Sequence, residues 1–313
     1  HGVFRRQRQM CIRDRIGLGL IASSMFWAMK RASMKVHVTG YSRSSQTRET
    51  ARKIGLCDTI SDELENVVVD ADLVVLCVPI GAMGDIMEKI GPLLKSGCTV
   101  TDVGSVKCSV IEAVKPHVPD NVHFVPAHPL AGTEHSGPDS GFASLFDNRW
   151  CLITPNGADN IAVKRLENYW QALGANVDQL DPEHHDLVLA VTSHAPHLIA
   201  YTMVGVADDM KRVTNSEVIN YSATGFRDFT RIAASNPTMW RDVFLSNKEA
   251  TLEVLGRFTE ELFSLQRAIR TGDGDFLHDY FSRTRSIRRG IIDAGQDTDC
   301  LLYTSDAADE RLR

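Results

Sequence analysis

No two cysteines in this sequence are spaced as CxxC, and its seven cysteines stand scattered at 11, 57, 77, 98, 108, 151 and 300. An odd, unpatterned set points away from a disulfide framework and from a cysteine zinc site, and towards reduced thiols in a cytosolic protein. No apolar run approaches the ~18–20 residues that span a bilayer, so no membrane helix is expected. The arginine-rich start is not followed by the ~7–15 apolar residues of a signal peptide. Positive charge is not in excess either. Against 34 Lys and Arg stand 40 Asp and Glu, a net charge of −6, which argues against nucleic acid and anionic membrane as partners. There is no internal repeat, no low-complexity tract and no Gly/Ser linker.

What is present is a globular composition. Hydrophobic residues make up 43% and charged residues 24%, which excludes a disordered chain. A length of 313 residues suggests about two domains. The two ends differ from the rest. Residues 1–15 (HGVFRRQRQMCIRDR) hold five arginines, and residues 296–313 (QDTDCLLYTSDAADERLR) show no helical stripe. Both are expected to be non-native tails around a body of 16–295, with no room at either end for a regulatory or fused domain.

From Ile16 to about Leu180, short apolar runs alternate with helical stretches. The runs are 36–41, 72–79, 98–102 and 122–125, with further strands expected at 150–154 and 176–180. Helices are expected at 21–33, 45–55, 82–94, 108–115 and 159–173. Continuous apolar runs suit strands buried on both faces, so the alternation implies an α/β doubly wound domain over 16–181. After Asp181-Pro182 the pattern becomes helical throughout, an all-α domain over 182–295. Residues 185–206 are expected to form a central, buried helix. Asn236-Pro237 should cap a helix running on from Thr238 to Arg270, and 275–292 should form the last one.

Gly17-Leu-Gly19-Leu20-Ile21-Ala22 fits G-x-G-x-x-[GA]. The first glycine permits a tight turn, the second lets backbone approach a pyrophosphate, and the small third residue allows helix and strand to pack closely. The strand before it is irregular, reading Met10-Cys-Ile-Arg-Asp-Arg-Ile16. An acid that holds the ribose hydroxyls usually ends the second strand. Ser42 stands there instead, followed by Arg43, which leaves NAD and NADP both open. Val78 and Pro79 end the next strand on the cofactor side.

Two polar stretches follow strand ends, where ligands of open α/β sheets bind. They are Asp102-Val-Gly104-Ser105-Val-Lys107 and His128-Pro-Leu-Ala-Gly132-Thr133-Glu134-His-Ser-Gly137-Pro138. A histidine in such a loop can serve as a base near neutral pH. In the helical half, Ser193-His194-Ala-Pro196-His197 sets two histidines three apart. Arg227 and Arg231 lie at i and i+4, where a guanidinium fork could hold a carboxylate.

GLGLIAS, LCVP, DVGSVK, HPLAGTEHSGP, SHAPHLIA and GFRDFTRIAASNPTMWRD together resemble the prephenate/arogenate (cyclohexadienyl) dehydrogenase family, from about Ile16 to Asp293. The resemblance implies a Rossmann-type domain and a helical dimerisation domain, hence a cytoplasmic homodimer. It implies oxidative decarboxylation of prephenate or arogenate with NAD or NADP, in tyrosine biosynthesis. His128 would take the proton of the ring hydroxyl, and Ser105 would bond near that hydroxyl and help orient His128. Arg231 would hold a substrate carboxylate, Asp228 would buttress it, and His197, Thr133, Glu134 and Trp240 would line the pocket. Rival readings are a β-hydroxyacid-type dehydrogenase, whose catalytic lysine motif is not found, and a non-catalytic NAD(P)-binding regulator. A metal site of His128, His184, His185, His194 and His197 is disfavoured by Pro196 and the lack of HExxH, so no metal is expected.

Overall fold

The computed structural model describes residues 15–133, 135–210, 217 and 221–293. Its first sheet is formed by β1 (Arg15–Ile16), β2 (Thr39–Tyr41), β3 (Thr59–Ile60), β4 (Leu73–Leu76), β5 (Thr99–Asp102) and β6 (His123–Phe124). All pairs are parallel, in the order β3-β2-β1-β4-β5-β6. The order reverses direction at β1 and β4, the switch point where ligands of such sheets bind. Helices α1 (Leu20–Arg31), α2 (Ser45–Ile54), α3 (Glu65–Val68), α4 (Met83–Ile90) and α5 (Cys108–Val114) connect the strands.

One core lies on each face of this sheet, as the doubly wound pattern requires. Met25, Phe26 and Met29 of α1 pack with Leu73, Val75, Tyr169 and Trp170. Met83, Met87 and Ile90 of α4 pack with Val74, Leu76, Val110 and Val114 on the other face. Successive residues of β4 alternate between the two cores, so all four are buried and the strand reads as one apolar run.

A second, three-stranded sheet was not expected as a separate unit. It joins β7 (Ala127–Pro129) antiparallel to β8 (Trp150–Ile153), and β8 parallel to β9 (Asn176–Gln179). Helix α6 (Asn160–Ala172) links β8 and β9, its N-terminus capped by the Asp159 carboxylate. β3 and β7, of two and three residues, carry too few positions to show a period.

The helical part corrects four expectations. Residues 185–206 do not form one buried helix: α7 (Pro182–Leu189) passes through a π turn at Ala190–His194 into α8 (Ala195–Asp209). Only part of this run is covered, and Met203, Val204 and Val206 are exposed. By length and composition Pro182–Asp209 could cross a membrane, contrary to the expectation that no run could. Buried, hydrogen-bonded His185, Asp186 and His194 tie the same run to neighbouring elements of the chain. After α9 (Thr224–Thr230) comes a 3-10 turn at Arg231–Ala234. Arg231 therefore opens that turn instead of sharing a regular helix with Arg227.

The stretch expected to be helical from Thr238 to Arg270 is split. α10 (Pro237–Ser246) ends at Asn247, and α11 (Lys248–Thr271) follows, then α12 (Gly274–Asp293). Asn247 breaks the run because its side-chain amide bonds the Asp186 carbonyl at 2.8 Å and His194 Nδ1 at 3.0 Å. Contacts divide the chain into His1–Val254 and Leu255–Arg313. α7, α8 and α10 fall in the first unit with the sheets. In the second unit the helices expose Leu262, Phe263, Ile269, Phe281 and Ile287.

Arg15 sits where β1 lies between β2 and β4, and it is 1% exposed. Its guanidinium donates to the Ala22 carbonyl and reaches Met29 Sδ, while Nε has no partner. A central strand position inside an apolar core is a costly place for a cation with an orphaned N–H. Arg15→Val should therefore raise unfolding free energy by about 1–4 kcal/mol, read by urea denaturation. Unchanged or lower stability would show that the arginine is well accommodated. The remaining residues of the irregular first strand, 10–14, lie outside the described residues.

Candidate active site

The site begins at the carboxyl end of β1. Gly17 has φ +98, and a Cβ there would sit 2.1 Å from the Cys77 carbonyl oxygen. Only glycine fits this turn, which brings the first strand against the end of β4. Gly19 is the N-cap of α1 and has no side-chain cap, while a Cβ on it would meet no atom within 4 Å. Space is therefore open beside Gly19, at the start of α1, where Leu20 and Ile21 are half-buried. Ala22 is fully buried against the sheet. A bare glycine cradle ahead of a helix N-terminus suits a pyrophosphate. Val78 and Pro79 follow β4 beside it.

Ser42 and Arg43 follow β2. Arg48 of α2 holds the carbonyls of both, at 2.6 and 3.2 Å, and Asp62 braces Arg48 and Arg52 at 2.8 and 2.7 Å. The Arg52 and Arg48 hydrogen bonds hold the Asp62 carboxyl below its ordinary value. The Arg43 side chain is exposed beyond this braced loop.

β5 ends in Asp102, whose side chain is fully buried with that of Lys107. Asp102 accepts from the Gly104 amide at 2.8 Å, the Ala127 amide at 3.3 Å and Lys107 Nζ. Lys107 Nζ also donates to the Ala127 carbonyl at 2.8 Å. This buried ion pair therefore clamps β7 to the end of β5 just before His128.

His128 is 8% exposed, on β7 opposite Leu152. Its Nδ1 lies 2.9 Å from Nε2 of His185, whose own Nδ1 lies 2.8 Å from Asp186 Oδ1. Asp186 in turn accepts the backbone amides of Lys107 and Cys108, at 2.7 and 2.9 Å. The ring contact of His128 is thus with His185, where Ser105 had been expected. Ser105 is half-buried in the loop after β5, and its carbonyl faces His194.

On the helical side, His197 stacks on Trp240 with ring centroids 3.7 Å apart. Trp240 is buried with Val106 and Val243, and Ile80 packs on the same group. His197 Nδ1 bonds the Ser193 carbonyl at 2.8 Å. Tyr201 donates to the Ser235 carbonyl at 2.7 Å, which ties α8 to the turn that Arg231 opens. A row of electrostatic neighbours leads from His128 through His194 and His197 to Arg231. Asp228 is exposed on α9, and Thr133 is exposed with its hydroxyl accepting from the His135 amide at 3.3 Å. Glu134 lies outside the described residues.

Burial drives the titration of this cluster. It holds His128 well below the usual imidazole value, with smaller pushes from His185, Lys107 and His194. It pushes His194 down to about 4, against the pull of Asp186. Burial also lowers His185 and His197, the latter helped by the Arg231 charge. For Asp186 burial opposes ionisation, yet hydrogen bonds from His185 and the two amides keep the carboxyl below its ordinary range. At neutral pH the four histidines are therefore neutral beside a carboxylate. Asp186, Lys107 and Asn247 had not been assigned roles, and His185 had been considered only in the disfavoured metal set. The contacts His128–His185, Lys107–Asp186, Asn247–Asp186 and Asn247–His194 span 57, 79, 61 and 53 residues, so no local spacing reveals them. All five described cysteines are thiols, and burial raises Cys77 to about 12.

Residues 27–179 match the family profile described as prephenate dehydrogenase, nucleotide-binding domain, and residues 181–283 match prephenate dehydrogenase, dimerization domain. The cyclohexadienyl dehydrogenase of Zymomonas mobilis is 42% identical over 277 residues, spanning 88% of this chain and 94% of that protein. The prephenate dehydrogenase of Bacillus subtilis is 31% identical, over 88% of this chain and 74% of its own length. Among solved structures, Aquifex aeolicus prephenate dehydrogenase with hydroxyphenyl propionate and NAD+ superimposes with a TM-score of 0.84. It is 30% identical, and the match covers 91% of this chain and 100% of that one. Synechocystis arogenate dehydrogenase gives a TM-score of 0.73 at 28% identity, covering 89% and 99%.

Proposed function

The chain belongs to the prephenate dehydrogenase family, and from that premise we propose how its residues carry out the oxidative decarboxylation of prephenate or arogenate in tyrosine biosynthesis. The observation that carries the proposal is a buried His128, hydrogen-bonded to His185 and linked through Asp186, Asn247 and His194 to the His197–Trp240 stack, with the Arg231 charge as a neighbour of His197. The Gly17–Ala22 turn would hold the pyrophosphate of a nicotinamide dinucleotide, whose ring accepts the hydride when bound.

His128 accepts the proton of the ring hydroxyl as the hydride leaves the same carbon. The bond between the ring and its carboxylate then breaks, and that electron pair makes the ring aromatic as carbon dioxide departs. The phenolic oxygen ends with a proton that His128 can return. Aromatisation supplies the driving force, so the residues mainly orient the acid and move one proton. Ser105 lies within the loop that meets the hydroxyl end. Arg231 grips a substrate carboxylate, with Asp228, Thr133, His197 and Trp240 as further residues of the substrate site. Arg231→Ala should raise KM by about 10–100-fold and affect kcat much less, since charge-assisted hydrogen bonds to substrate are lost. An unaltered KM in steady-state assays would remove Arg231 from carboxylate binding.

For the cofactor we infer that NADP is accepted. Ser42 brings no carboxylate to repel a 2′-phosphate, and the exposed Arg43 can pair with one. Arg43→Ala should raise KM for NADP by about 10-fold and leave KM for NAD unchanged. Equal change for both would contradict this role. We infer further that two copies pair through the helical region. The exposed apolar residues of α8, α11 and α12 are what a second copy would cover. We place the enzyme in the cytoplasm, beside the rest of amino-acid synthesis. The function itself is tested by incubating the chain with prephenate or arogenate against NAD or NADP and following reduced nicotinamide. No reduction in any of the four mixtures would overturn it.

A further inference from the structure

His128 is useful as a base only if its substrate-facing nitrogen carries a lone pair, and the buried contacts decide which nitrogen that is. Asp186 is held in place by two backbone amides that leave its carboxylate as an acceptor towards His185. A carboxylate at 2.8 Å from His185 Nδ1 requires the proton on that nitrogen. His185 Nε2 is then a lone pair, 2.9 Å from His128 Nδ1. That contact in turn requires the proton of His128 on Nδ1, which leaves Nε2 bare.

We propose that His185 and Asp186 are positioning residues that set the tautomer of His128, so that Nε2 is the proton acceptor. This rests on His128 being the base, as proposed above. Several other groups face the pair. His128 meets Lys107 and His194 besides His185, and Cys151 on β8 lies against its backbone. His185 meets Lys107, Asp186 and Asp102, and His194 lies nearby. None of these others hydrogen-bonds either ring in place of the relay. The relay also spans the two architectures: His128 is on a strand, His185 and Asp186 are on α7, and the amides start α5. Substrate-side geometry thereby depends on the docking of α7 against α5.

When His128 takes a proton, its Nδ1–H continues to donate to His185. The new charge then lies one imidazole away from the Asp186 carboxylate, which stabilises it without accepting a proton itself. An apolar residue at 185 would remove both the tautomer control and this stabilisation.

The test uses the full chain labelled with 15N-histidine, with His128 signals assigned by comparison with His128→Asn. At neutral pH the wild-type His128 should carry its proton on Nδ1, with Nε2 unprotonated. In His185→Leu this signature should be lost, kcat should fall by about 10–100-fold and KM should stay within about threefold. His185→Gln restores an acceptor oxygen towards His128 and should recover part of kcat. A wild-type His128 protonated on Nε2 would overturn the proposal, and that measurement needs no variant at position 185 to fold. So would full kcat in His185→Leu with the Nδ1–H signal unchanged. If His128→Asn itself keeps full kcat, the base assignment fails; if it is inactive while either of those results holds, only the relay fails.

Discussion

His128→Asn is expected to lower kcat by about 10²–10⁴-fold while KM changes little, the span general-base catalysis covers. The physical reason is that asparagine keeps much of the shape and the contact to His185 but cannot take a proton. Burial, with His185, Lys107 and His194, keeps His128 well below the usual imidazole value. The base is therefore already unprotonated at neutral pH. The sign for pH follows: activity holds near pH 7 and persists below the usual imidazole range. It is lost only on acidification well below 6.5, where His128 gains a proton. Stability moves the same way. The unfolded chain binds protons on these histidines near 6.5, whereas native His194 waits until about 4. Stability thus falls as pH drops through that window. An unchanged kcat in His128→Asn would remove the base from the mechanism.

The second large effect is on the fold. Lys107→Met should lower unfolding free energy by about 3–5 kcal/mol, measured by urea denaturation. Lys107 and Asp102 are both 0% exposed, and methionine leaves the carboxylate buried without its cation. The Gly104 and Ala127 amides remain as donors, but two hydrogen bonds do not replace a full charge. Because Lys107 also holds the Ala127 carbonyl, the loss releases the strand that carries His128. A stability change under about 1 kcal/mol would mean that water or a shifted proton compensates Asp102.

The sheet was legible because its strands are buried on both faces. Leu73–Leu76 needs no alternation, and a continuous apolar run followed by proline is a plain signal. The glycine turn after β1, the polar stretches carrying Ser105 and His128, and the arginine pair that ends in Arg231 were legible as motifs. Contacts that organise the site were not. His128 and His185 are 57 residues apart, and Lys107 and Asp186 are 79 apart, so no local period links them. The break at Asn247 is likewise tertiary, since its amide is drawn to Asp186 and His194. The run 185–206 looked like a buried helix because its composition is apolar, yet Met203, Val204 and Val206 are uncovered in a single chain. Composition reports what a surface needs, not which partner supplies it.

The most direct measurement follows reduced nicotinamide and carbon dioxide together, for the wild-type chain and His128→Asn, with prephenate and with arogenate. One reduced nicotinamide per carbon dioxide is predicted for the wild type, with both products suppressed to the same degree in the variant. Carbon dioxide without nicotinamide reduction, no turnover of either substrate, or a variant as fast as the wild type would contradict it.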